Sequence, residues 1–581
     1  MAADYVAPLR DMTFALRETA GLADLATLPG FESAEPDLVE AVLAEAARLA
    51  QHVIAPTNQA GDRQGCRLEN GTVRTADGFR DAYAQFCAGG WNGVPFDPMQ
   101  GGGGLPWAVA MVTQEMITSA NMAFSLCPLL TQGAVEALSV HGTPEQVATY
   151  LPKLVAGTWT GTMNLTEPQA GSDVGALKTR AEPAGDGSWL ITGTKIFITF
   201  GDHDMAENII HLVLARTPGA PAGTKGISLF IVPKFLIGAD GRPGQANDLR
   251  CVSVEHKLGI HGSPTCVMSY GDNGGAIGYL LGAENEGMRC MFTMMNNARL
   301  SVGLQGLAIA ERAYQQALAY ARERRQGRLI GQVGGADVAI VQHPDVRRNL
   351  MLMRSQIEAM RGLIYFNAAV LDRAHHHADA AVRAEQLGLA QLLIPLSKAW
   401  CTDLGVEIAS LGVQVHGGMG FIEGTGAAQH LRDVRIAPIY EGTNGIQAID
   451  LVLRKISGKG AAALSALVED MRAVDKDLAG AGPALEAIRT SLTAALTAVD
   501  HATARLVPLA ASDPNKAIGG ATPYLRMLAV TVGGWLLARH YPDATPPKLR
   551  PRAFMASRCW RRCRAFYQRY LAPTRCSAIL T

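Results

Sequence analysis

The strongest constraint on the fold of this chain is a change of periodicity that happens twice. From 39 to 159 apolar residues recur every three or four positions, as in LVEAVLAEAARLAQHVI, the spacing of one helix face. TPEQVATYLPKLVAG opens on Thr143, a hydroxyl suited to N-capping, with Gln146 three residues on. From about 160 the pattern becomes short runs rich in Ile, Val, Phe and Thr: GSWLITGTKIFITF, IIHLVLAR, GISLFIVP and LRCVSVEHKLGI. Gly, Asp and Pro separate them, as expected of antiparallel strands and hairpins. After 287 a helical stripe returns through Leu300, Leu304, Leu307, Ala310, Tyr314, Leu318 and Ala321. The expectation is an α+β fold, mainly α, with a β-barrel or sandwich between helical domains. Its parts are an N-terminal extension (1–38), a helical domain (39–159), a β-domain (160–286) and a helical bundle (287–456). SGKGAAA at 457–463 reads as a linker, and Leu485, Ile488, Leu492, Leu496, Val499 and Leu506 mark an additional helical domain over 464–581.

Composition excludes several functions. With 48% hydrophobic residues, 18% charged residues and a net charge of zero, the chain does not read as a general nucleic-acid or membrane-surface binder. MLAVTVGGWLLA (527–538) is too short to span a bilayer and reads as a buried helix. Arg, Asp and Glu interrupt the first apolar runs, so no signal peptide is expected and a cytoplasmic location is. The ten cysteines show no CxxC spacing and no histidine at ligand spacing, so no metal site is expected. The triplet His375–His377 reads as a surface loop. Neither GxGxxG in a strand–helix context nor GxxxxGK[ST] is present.

Several segments are chemically suggestive and individually ambiguous. MNLTEPQAGSD (163–173) runs from a strand-like start into a polar loop whose hydroxyls and N–H groups suit a planar heterocycle or a phosphate, or simply a capped turn. FITFG (197–201) ends a strand with an aromatic and a hydroxyl. ARERRQGR (321–328) ends a helix with four arginines, able to meet a phosphate or only the helix dipole and solvent. VQVHGGMGF pairs a glutamine with two glycines. Glu-Gly-Thr occurs twice, at Glu423 and at Glu441.

In this order and spacing, from about 39 to 456, these segments resemble the acyl-CoA dehydrogenase family of flavoenzymes. Met163 to Asp173 resembles its flavin loop, and Phe197, Ile198 and Thr199 its aromatic-Ile-Thr loop. Arg324 is similar to the arginine that reaches the flavin pyrophosphate of a neighbouring subunit. Gln414 to Gly418 is similar to the segment at the adenosine end, and Tyr440 to Thr443 to its Tyr-Glu-Gly-Thr motif. YVAPLRDMTFAL and the region beyond 460 resemble a longer bacterial branch that includes 3-(methylthio)propanoyl-CoA dehydrogenase and enzymes of broader acyl-CoA range.

The resemblance implies FAD-dependent α,β-dehydrogenation of an acyl-CoA to a trans-2-enoyl-CoA, with 3-(methylthio)propanoyl-CoA a candidate substrate. It implies Glu441 as the base that removes the α proton while hydride leaves the β carbon for flavin N5. A subset of the family carries its base one residue before the arginine matched by Arg299; here that position is Ala298, which cannot serve. Glu423 matches no catalytic carboxylate; it reads as solvated or as favouring the dipole of a helix capped by Thr425. Implied flavin contacts are Leu165, Thr166, Ser172, Phe197, Thr199, Arg324, Gln414, Gly418 and Thr443. Implied substrate contacts are Ser172, Asn296, Arg299, Tyr440 and Gly442. The Glu441 N–H and a flavin ribityl hydroxyl would polarise the thioester carbonyl.

Met163, Phe197, Asn296 and Gly445 depart from residues common in the family. Implied partners are an electron-transferring flavoprotein and further copies of the chain, as a dimer or dimer of dimers. Two rivals are an acyl-CoA oxidase and a DNA-binding alkylation-response flavoprotein. The second rests on 548–575, which holds nine Lys or Arg and no acid. The intact Glu441 loop favours a solvent-facing basic helix there instead.

Overall fold

The computed structural model describes residues 5–331, 336–479 and 483–539. The basic segment 548–575 lies outside them. The chain forms two compact units, one of residues 45–105 and 116–298, the other of 1–44, 106–115 and 299–581.

In the first unit two helices run directly into the main sheet in sequence. Helix α1 (Met122–His141) is apolar nearly all round, and α2 (Pro144–Val155) follows it. The start of α2 is a full capping box: the Gln146 N–H donates to the Thr143 hydroxyl (3.3 Å), and the Thr143 N–H to the Gln146 side chain (3.1 Å). Among the described residues only α1 is long and apolar enough to cross a bilayer, and 83% of its most apolar window is buried within the protein.

The sheet has eight strands: β1 (Trp159–Asn164), β2 (Arg180–Pro183), β3 (Trp189–Thr199), β4 (Asn208–Ala215), β5 (Ser228–Pro233), β6 (Leu249–Val254), β7 (Thr265–Tyr270) and β8 (Ala276–Leu281). Their order is β6-β7-β3-β8-β5-β4-β1, with β2 also on β3. The long β3 pairs with β2 and β8 over its first residues and with β7 over its last, joining the two halves of the sheet. Ile191, Ile198, Val213, Phe230 and Met268 lie in its core.

The expectation of antiparallel pairing throughout fails at β1 and β4, which run parallel. Every residue of both strands is buried, as parallel pairs require, and the intervening chain is long enough for the crossover. Of LRCVSVEHKLGI only Leu249–Val254 is strand.

Helix α3 (Gly287–Glu323) is continuous over 37 residues, and from Arg299 onward it belongs to the second unit. There it is joined by α4 (Pro344–His376), α5 (Ala380–His416), α6 (Ala427–Val434) and α7 (Asn444–Asp450). Within 457–463, Gly458–Gly460 form a short 3-10 turn and α8 (Ala461–Leu478) begins directly after it, followed by α9 (Pro483–Ser512) and α10 (Ala521–Ala538). All six residues of the apolar stripe read for α9 are buried, and so is 527–538 apart from Val530, which is partly exposed.

The histidine triplet is not a loop. His375 and His376 close α4, and the His376 ring lies 4.2 Å from that of Phe31. Among the described residues no cluster of His, Cys, Asp and Glu is placed to hold a metal, and the seven described cysteines are free thiols.

Part of the buried charge in this unit is paired directly. Arg361 on α4 pairs with Glu115 (2.6 Å) and with Glu311 on α3 (2.9 Å), all three essentially without exposure, and the Tyr365 hydroxyl donates to Glu115. Helices α3 and α5 approach each other through glycine: a Cβ at Gly306 would lie 2.2 Å from the Cys401 carbonyl oxygen, and one at Gly405 2.8 Å from the Gly306 Cα. Gly306→Ala must push backbone apart, so it is expected to destabilise the protein by about 1–3 kcal/mol. A thermal midpoint measured with flavin in excess checks this.

Candidate active site

The segment between α6 and α7 turns sharply, and the turn ends on Glu441 at φ +56 and Gly442 at φ +79. Glycine adopts this conformation freely. For a glutamate it costs about 1–3 kcal/mol and persists only where surrounding contacts impose it.

Those contacts come from α5 and α7. Lys398 of α5, with no side-chain exposure, donates from Nζ to the Gly442 carbonyl and to Asn444 Oδ1, both at 2.9 Å. Asn444 donates to Asp403 (2.7 Å) and to the Ala399 carbonyl (3.0 Å). The Gln447 amide reaches the Glu441 carbonyl (3.4 Å), and the Thr443 hydroxyl caps α7 by accepting from the Ile446 N–H (3.3 Å). The Tyr440 hydroxyl donates to Gln305 of α3.

Glu441 is partly buried. Burial pushes its carboxyl above the ordinary carboxylate range, while the charges of Arg299 on α3 and of Lys398 pull it back. A carboxylate with a raised pKa holds a proton more firmly than a solvated one, and two nearby cations favour its ionised form.

In the other unit a second strained position lies in β3. Cys266 pairs with Ile198 and Met268 with Lys195, so Ile196 and Phe197 together oppose Val267 in a bulge. The bulge buries Lys195 and turns Phe197 outward, 59% exposed at φ +59. Lys195 Nζ donates to Glu167 (2.8 Å) and to the Leu165 carbonyl (3.1 Å), and the Ile196 N–H donates to the Thr166 carbonyl (2.9 Å). Glu167 accepts further from the Lys178 and Thr179 N–H groups and the Thr179 hydroxyl. The loop 165–173 is thereby tied to β3. Thr166 is partly exposed, Ser172 is exposed, and the Thr199 carbonyl accepts from Thr162 (2.7 Å). A projecting aromatic beside a hydroxyl-bearing loop with fixed backbone is a donor set that suits a flavin ring and its phosphates.

The remaining expected residues are more scattered. Asn296 is partly buried on α3, next to Asn297, whose side chain bonds Glu136. Arg324 lies just past the end of α3, exposed and bonded to Gln326 (2.6 Å). Gln414 and Gly418, at the end of α5 and just beyond, are also exposed. Glu423 is exposed and paired with Arg432 at 2.8 Å, as a solvated residue would be. Thr425 does not cap the helix: Gly426, at φ +83, is the N-cap, and the Thr425 hydroxyl donates to the Ile422 carbonyl (2.8 Å).

Lys398, Asp403, Lys195 and Glu167 were not singled out in the sequence. The available signal was a lone lysine inside an apolar helix (LLIPLSKAWC) and another inside a strand, since a lysine that must be buried needs partners.

Four family descriptions match the chain in order: "Acyl-CoA dehydrogenase, N-terminal domain" at 37–158, the middle domain at 162–272, the C-terminal domain at 285–456, and "Acetyl-CoA dehydrogenase C-terminal like" at 463–575. The chain belongs to the acyl-CoA dehydrogenase family; it is an oxidoreductase that uses FAD. It is 49% identical to 3-methylmercaptopropionyl-CoA dehydrogenase of Ruegeria pomeroyi over 92% of this chain and 90% of that protein. It is 35% identical to the broad-specificity linear acyl-CoA dehydrogenase FadE5 of Mycobacterium tuberculosis, again over 92% and 90%. The crystal structure of Caenorhabditis elegans ACDH-11 in complex with C11-CoA shares the fold at TM-score 0.79 and 19% identity, over 96% of this chain and 92% of that one. These relatives do not support the oxidase or DNA-binding alternatives.

Burial pushes Glu167 up, but Lys195, Thr179 and the Lys178 N–H outweigh it and bring it down to about 2. Its folded value lies below its unfolded one, so its stabilisation is complete above the ordinary carboxylate pKa and disappears as pH falls through the folded value. Lys195→Met leaves Glu167 buried without its cation and is expected to cost about 3–5 kcal/mol at pH 7. In urea titrations the gap from the parent protein should narrow below about pH 4.

Proposed function

We propose that this enzyme oxidises a short acyl-CoA, with 3-(methylthio)propanoyl-CoA as its preferred substrate, and that Glu441 is the base. The observation that carries the assignment of the base is the strained, partly buried Glu441 held between Arg299 and Lys398 with a raised pKa. The substrate rests on the 49% identity to the Ruegeria pomeroyi dehydrogenase across nearly the full length of both chains.

The family's chemistry requires that a proton leave the α carbon and a hydride the β carbon. Bound FAD supplies the acceptor for that hydride. Glu441 takes the α proton onto its carboxylate. Its main-chain N–H is proposed to donate to the thioester oxygen as negative charge builds there, an interaction stronger in the transition state than in the ground state. Tyr440, Arg299, Gly442 and Asn296 are assigned to the acyl and thioester end, and Ser172 to the CoA arm or flavin phosphates.

The flavin is assigned to Leu165, Thr166, Ser172, Phe197, Thr199 and Thr443, and Arg324, Gln414 and Gly418 to its pyrophosphate and adenosine. Arg324 is exposed and followed by an exposed stretch, which suits a role toward a second copy of the chain, so the enzyme is assigned as a homo-oligomer. A cytoplasmic location and electron delivery to an electron-transferring flavoprotein complete the proposal.

Anaerobic titration with acyl-CoAs from butanoyl to palmitoyl, and with 3-(methylthio)propanoyl-CoA, should bleach the oxidised flavin most readily with the thioether and its short straight-chain isosteres. Glu441→Gln should keep its flavin and lose at least about 100-fold in turnover. Preferential bleaching by long chains would overturn the substrate assignment. Turnover preserved in the variant would overturn that of the base.

A further inference from the structure

We propose that Lys398 is a positioning residue for the dehydrogenation: its buried ammonium holds the Glu441–Gly442 turn through the Gly442 carbonyl and favours the ionised form of Glu441, and the C-terminal helical segment steadies this grip through Arg526. The inference rests on Glu441 being the base.

A buried ammonium is costly unless its three protons and its charge are both answered. Lys398 bonds two acceptors, the Gly442 carbonyl and Asn444 Oδ1, and neither is a carboxylate. Its charge is answered at longer range by Glu441 and Asp403, which raise its pKa, while Arg299 opposes them; burial, the largest influence, brings it down to about 7. A neutral amide would make the same two hydrogen bonds at no such cost, so what distinguishes lysine here is its charge beside Glu441.

The geometry points the same way. Glu441 and Gly442 are consecutive left-handed residues, and the carbonyl that Lys398 holds belongs to the second of them. The other acceptor, Asn444, is fixed in turn by Asp403 and the Ala399 carbonyl.

Behind this chain stands α10. Arg526 bonds Glu407 of α5 at 2.6 Å, and it shares with Asp403, Asn444 and Trp400 the lining of a cavity of about 260 Å³. Burial raises Asp403; Asn444, Arg526 and Lys398 counter it while Glu407 adds to it, so the cation on α10 is one of the groups that favour the charged form of the residue that orients Asn444. The extra C-terminal helices thereby acquire a part in the reaction that the apolar packing of α10 alone would not give them.

The test uses flavin-loaded enzyme and compares Lys398→Met with Glu441→Gln. Lys398→Met is expected to lower kcat about tenfold at pH 7 with KM within about threefold, and to move the acid limb of the kcat profile up by about one pH unit. The direction follows because a nearby cation lowers a carboxyl pKa, so removing it delays ionisation of Glu441 to higher pH. Should Lys398→Met fail to retain flavin, Asn444→Ala takes its place, with kcat expected to fall at least about fivefold at unchanged flavin content. An unshifted acid limb in Lys398→Met, or a kcat within about twofold of the parent in Asn444→Ala, overturns the proposal while leaving Glu441 as base. Turnover that survives Glu441→Gln instead overturns the assignment on which it rests.

Discussion

One buried ammonium holds the turn that carries the proposed base in its shape. Lys398, bonded to the Gly442 carbonyl, is a direct hold of α5 on two successive left-handed residues, one of them a glutamate, and Ala399 and Asp403 fix the following Asn444. The close approach of α3 and α5 at Gly306 and Gly405 fixes the helix from which Lys398 projects. The helices are thus the means by which a strained carboxylate is presented in one orientation, and strain of this kind marks positions where structure serves chemistry.

The other unit uses the same device with opposite emphasis. Lys195 is buried by a bulge in β3 and meets a full carboxylate, Glu167, that also takes two backbone N–H groups and a hydroxyl. Here the charge pair is saturated and acts as a fastener for the loop 165–173. At Lys398 the direct acceptors are neutral, and the ion is left to act on its neighbours. Arg361 likewise meets full carboxylates, of Glu115 and Glu311, although its buried Nη1 has no hydrogen-bond partner.

Much of the architecture was legible in the residues. The helical stripe over 300–321, the capping box at Thr143 and the six apolar positions of α9 all depend on local periodicity and local hydrogen bonds. The parallel pairing of β1 with β4 was not, because a fully buried strand looks alike whichever way its neighbour runs. The cap at Gly426 was misread as Thr425 because a hydroxyl one residue earlier fits the same pattern. At the site, the motifs singled out Glu441 and the loops, but its supports come from 42 to 43 residues away along the chain, in Lys398 and Ala399. Tertiary partners of that kind leave no spacing to read; only the oddity of a lysine in an apolar helix hints at them.

Glu441 is proposed to remove the α proton. Proton removal can be isolated from hydride loss with 3,3-dimethylbutanoyl-CoA, whose β carbon carries no hydrogen. Incubated in deuterium oxide with flavin-loaded enzyme, its α position should take up deuterium, and in Glu441→Gln the uptake should fall to the uncatalysed rate. Equal uptake in both proteins would show that another group takes the proton and would contradict the account.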